Sequence, residues 1–75
     1  MAAYANAVIA RAHKDYAAQV IEVNRAIGTD AAAEENADIA IQNPDFIPQA
    51  IDANKGIATD EAIWQIDRIA RANPA

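Results

Sequence analysis

The chain predicts an all-α domain of four or five short helices, packed as a compact antiparallel bundle or a short solenoid-like array. Three observations carry this. A thirty-residue unit recurs along the sequence, and its apolar positions fall at the three- and four-residue spacing of a helix. Each unit also holds a glycine, then a Thr-Asp pair, where one helix should end and the next begin.

Shifting the chain by thirty residues lays Asp15–Pro44 over Asp45–Pro74 without a gap, with twelve identities. They include Gln19/Gln49, Ile21/Ile51, Asn24/Asn54, Ile27/Ile57, Thr29/Thr59, Asp30/Asp60, Ile39/Ile69 and Asn43/Asn73. Tyr16/Phe46, Glu22/Asp52 and Arg25/Lys55 are conservative pairs. Asn6, Ala7, Ile9 and Ala10 echo Asn36, Ala37, Ile39 and Ala40 as a partial earlier copy. The single domain, residues 1–75, therefore divides into a half repeat (1–14), repeat one (15–44) and repeat two (45–74).

The start has two readings. His13-Lys14 stands where later copies have Asn-Pro, so residues 2–27 form one long helix or two that break near Asp15. In repeat one, Tyr16, Val20, Ile21, Val23 and Ile27 define the apolar face of the first helix; in repeat two, Phe46, Ala50, Ile51 and Ile57 do so. Gly28 and Gly56 are expected to end these helices in a left-handed conformation. Thr29 and Thr59 are expected as N-caps of the helices that follow, with Asp30 and Asp60 against the positive end of the helix dipole. Asn43-Pro44 and Asn73-Pro74 stop those second helices, because the residue before proline resists helical geometry. Pro48 fits only a first turn, which makes Asp45 the expected N-cap there. Asn24 and Asn54, on the apolar stripe, are expected to tie down the adjacent turn.

Composition narrows the function. Without cysteine there is no disulfide, thiolate metal site or Cys nucleophile. Apolar runs such as Ala7-Val8-Ile9-Ala10 are too short to span a bilayer, and the N-terminus lacks the pattern of a signal peptide, so a soluble domain without a membrane role is expected. A net charge of −5 opposes nucleic-acid binding. Leu and Ser are absent, while Ala occurs 21 times and Ile 11 times. That restricted alphabet reads either as the bias of a short natural chain or as a designed protein, since β-branched Ile is a slightly poorer helix former than Leu.

Few residues suggest chemistry. His13 is the sole histidine and has no Glu-x-x-His partner motif. Asp30, Glu34 and Asp38, with Glu35 beside them, make an acidic stripe that reads as a solvated face, because a metal site needs ligands from several segments. Trp64, Arg68 and Arg71 share one side of the last helix, with two readings: a protein-contact patch, or a Trp half-buried on the preceding helix beside two solvated arginines.

Lys55-Gly56-Ile57-Ala58-Thr59-Asp60-Glu61 resembles the calcium-loop entry of annexin repeats, usually Lys-Gly-x-Gly-Thr-Asp-Glu, with Ala58 in place of one glycine. The resemblance covers seven residues, and the chemistry of a turn followed by a cap accounts for the same letters, so membership of that family does not follow. No phosphate loop, serine or acid–base pair points to catalysis, and no cofactor or metal is expected. The expected function is a non-enzymatic structural or protein-interaction module, self-assembling or bound to another protein, such as a small virion component. The alternative is a DNA-binding helix–turn–helix with Asp60–Asn73 as reading helix, supported by Arg68, Arg71 and Asn73.

Overall fold

The computed structural model describes residues 16–72. The half repeat, His13, Asp15 and Asn73-Pro74 lie outside the described residues, as does the question of one helix or two over residues 2–27. Four α-helices follow one another: α1 (Ala17–Ile27), α2 (Asp30–Gln42), α3 (Ile47–Ile57) and α4 (Asp60–Ala72), with a 3-10 turn at Pro44–Phe46. No strand occurs among the described residues. The limits of α3 and α4 fall thirty residues after those of α1 and α2.

The helices form an all-α bundle two layers deep. α1 packs on α2 and α3, and α4 packs on the same two helices from the other flank. Extents of 26 × 24 × 14 Å suit two such layers, since packed helix axes lie about 8–10 Å apart. The core joins Ala17, Val20 and Ile21 of α1 to Ala37, Ile39 and Ala40 of α2. Ile47, Ala50 and Ala53 of α3 and Ile69 of α4 complete it, with Phe46 and Ile51 at its edge. Five of these ten buried residues are alanines, so backbones approach closely, and Ile21, Ile39 and Ile69 are the largest apolar side chains fully buried. Two expected core residues face outward instead: Tyr16 is 51% and Val23 42% exposed.

The expected turn at Gly28 is present, and the expected turn at Gly56 is not. Gly28 has φ +70° and its N–H donates to the Asn24 carbonyl. Gly56 lies inside α3, and Ala58 takes the left-handed conformation, with φ +61° and its N–H on the Asn54 carbonyl. The reason is register: Ala58, not Gly56, stands thirty residues after Gly28. Gly56 lies beside the Arg25 side chain of α1. A Cβ there would come 2.6 Å from Nε of Arg25, whose side chain crosses the glycine.

Thr29 and Thr59 cap their helices, accepting the N–H of Ala32 at 3.1 Å and of Ala62 at 3.0 Å. Asp30 and Asp60 follow in the first turns. Asn43 ends α2. Asp45 is not the N-cap of the next helix, because Pro44 starts a 3-10 turn that carries Asp45 with it, and α3 begins two residues later with Pro48 in its first turn.

Candidate functional site

Among the described residues, the outer face of α4 sets two large apolar side chains next to each other in solvent. α4 buries Ala62, Gln65 and Ile69 against the bundle. Ile63 and Trp64, a turn into the helix, are 60% and 58% exposed. Asp67, Ala70 and Arg71 are exposed at positions that place them on the same side. In α2 the corresponding positions are Ala33, Ala37 and Ala40, all buried, with exposed Glu34 and partly buried Ile41. The face of α2 that receives α3 is thus open on α4.

The sequence-predicted trio is split by this geometry. Trp64 is 58% exposed on the outer side of α4. Arg68 turns inward instead, donating to Asp38 at 2.9 Å and to Gln65 at 3.0 Å, so it joins α4 to α2. Arg71 pairs with Asp67 at 2.8 Å along α4 and remains mostly in water. Arg68 and Arg71, on which the DNA reading rests, each pair with a carboxylate. The acidic stripe is correspondingly less solvated than expected, since Asp38 is part of the α2–α4 contact. Ile63 was missed in the sequence because its counterpart is Ala33, a small core residue; the change of size at a repeat position was the available signal.

A second feature lies at the centre. Asn24, Asn36 and Asn54 are fully buried. Asn24 Nδ2 donates to Asn36 Oδ1 at 2.9 Å, and Asn36 Nδ2 donates to Asn54 Oδ1 at 3.2 Å and the Ile21 carbonyl at 3.4 Å. Asn54 Nδ2 donates to the Ala33 carbonyl at 3.2 Å. The amides therefore clamp α1, α2 and α3 together and do not tie down the adjacent turns; those turns are closed by backbone bonds to the carbonyls of residues 24 and 54. Gln49 adds a further tie, donating from Nε2 to the Ala18 carbonyl at 2.8 Å.

Among the described residues no three His, Cys, Asp or Glu side chains converge as metal ligands, no pocket opens, and no helix is long and apolar enough to cross a membrane. The Lys55–Glu61 segment forms the α3–α4 turn and the Thr59 cap. No protein-family model matches the chain, and neither a curated protein nor a solved structure is significantly similar to it.

Proposed function

We propose that this protein is a non-enzymatic helical interaction module whose contact surface is the outer face of α4, and that it assembles with a second copy of itself through that face. The adjacent exposure of Ile63 and Trp64 carries the reading, because two large apolar side chains left in water are the usual mark of a contact surface when they adjoin an open helix face. Three features favour a second copy as partner. The Asp67–Arg71 pair makes the face close to neutral, so two acidic chains can meet there without adding like charges. Ala70 permits close approach of a facing helix. A core this rich in alanine removes little apolar area per residue, so association adds burial that the chain alone lacks.

Sedimentation with Trp64 emission, followed from millimolar to sub-micromolar concentration, tests this. Self-assembly predicts a mass above the monomer at the upper end and a red shift of Trp64 on dilution. A monomer mass throughout, with concentration-independent melting, overturns it.

A further inference from the structure

α4 carries a strip that its counterpart keeps covered. Ala33, Asn36 and Ala40 of α2 are fully buried. Asn36 donates to Asn54 Oδ1 and the Ala33 carbonyl accepts from Asn54 Nδ2, so this strip is where α3 is seated. Thirty residues on, the same three positions of α4 are Ile63, Ile66 and Ala70. Their spacing of three and four sets them along one side of the helix. Ile63 is 60% exposed, Ile66 is partly buried and Ala70 is exposed.

The residues in this strip decide what it can receive. Asn24, Asn36 and Asn54 are buried in α1, α2 and α3, whereas α4 has Ile66 at the place of Asn36. A helix seated on α4 as α3 is on α2 would bring an asparagine against Ile66, which offers its amide no partner, and a buried amide left unpaired is costly. Ile63 in place of Ala33 also adds bulk where α3 comes close. The strip therefore disfavours another unit of the repeat and suits a helix that is apolar at this depth. Among the described helices, α4 itself meets that requirement.

Resting on the self-assembly read above, we propose that α4 of one copy pairs antiparallel with α4 of a second, Ile63 of each lying over Ala70 of the other, and that this pairing closes the assembly at a dimer. A parallel pair would set Ile63 on Ile63 and Ala70 on Ala70, large against large and small against small. The antiparallel pair sets large against small at both ends, brings the two Ile66 side chains together near the two-fold axis, and opposes the two helix dipoles favourably. Each Asp67 enters already paired with Arg71 of its own helix. A two-fold contact uses the same strip on both copies, so none is left to add a third.

The test uses the intact chain. Sedimentation of the wild type should level off at a dimer mass as concentration rises. In a mixture of labelled and unlabelled chains, filtered nuclear Overhauser contacts should run between copies from the Ile63 methyls to the Ala70 methyl. Ala70→Trp alters an exposed position, so the dilute chain should keep its helicity while the dimer dissociation constant rises about tenfold or more. Masses that climb past the dimer, contacts from α4 to α1 or α3 of the other copy, or an unchanged dissociation constant in Ala70→Trp overturn the pairing and leave self-assembly standing. A wild-type mass that stays monomeric overturns self-assembly and this pairing with it.

Discussion

Ala58 holds a conformation that suits glycine, while the nearby glycine occupies a helix. At φ +61° the Ala58 Cβ crowds its own backbone, a cost that glycine avoids, so Ala58→Gly should stabilise the fold by about 0.5–1 kcal/mol despite the greater freedom glycine has when unfolded. Gly56→Ala sets two effects against each other. Helix propensity gains up to about 1 kcal/mol, and the new methyl displaces Arg25. That side chain is half-exposed and pairs with Glu22 at 3.4 Å in water, so moving it costs little and a net gain of about 0.5 kcal/mol is expected. Urea unfolding of both variants and of the double variant checks this, with near-additive gains expected. Loss of stability in Gly56→Ala would mean that Arg25 cannot move aside. The Thr caps provide a third comparison: Thr59→Ala should cost about 1 kcal/mol and Thr59→Asp much less, because Asp can accept the same Ala62 amide.

Among the elements, α4 divides its polar residues between packing and solvent. Arg68 bridges to Asp38 of α2 where both are partly buried, and Arg71 pairs with Asp67 in water. A double-mutant cycle with Arg68→Met and Asp38→Asn should therefore show a coupling of about 0.5–1 kcal/mol, and one with Arg71 and Asp67 about 0.3 kcal/mol. Equal couplings would deny Arg68 its joining role. Trp64→Ala should leave monomer stability within about 0.5 kcal/mol, as an exposed site, while removing association. The all-α class and the order of helices among the described residues were legible in the apolar spacing, with the count open between four and five, as were the Thr29 and Thr59 caps. The end of α3 was misread because glycine was followed in preference to register, and the side chain beside Gly56, Arg25, is thirty-one residues away in sequence. The inward turn of Arg68 was equally hidden, since its partner Asp38 occupies the equivalent place in the other repeat and only the packing of α2 on α4 brings the two together.

At the scale of the whole molecule, an alanine-lined interior leaves specificity to polar contacts. Ala packs almost equally well in several registers, whereas the hydrogen bonds joining Asn24, Asn36 and Asn54 form only when three helices are at one depth and rotation. Asn36 is the central member, using its oxygen toward α1 and its nitrogen toward α3. Asn36→Ala would strand the Asn24 amide and Asn54 Oδ1 in the interior, and at about 1–3 kcal/mol for each buried group the expected loss is about 2–6 kcal/mol. That is a large part of the stability of a domain this small. The same substitution in an Asn54→Ala background should cost less, because the acceptor it strands is already gone, and a coupling above about 0.5 kcal/mol is expected. Chemical denaturation of the four chains measures it. An Asn36→Ala loss no larger than that of an exposed substitution, or strict additivity with Asn54→Ala, would show that the helices are positioned by alanine packing alone and that the amides merely fill the space between them.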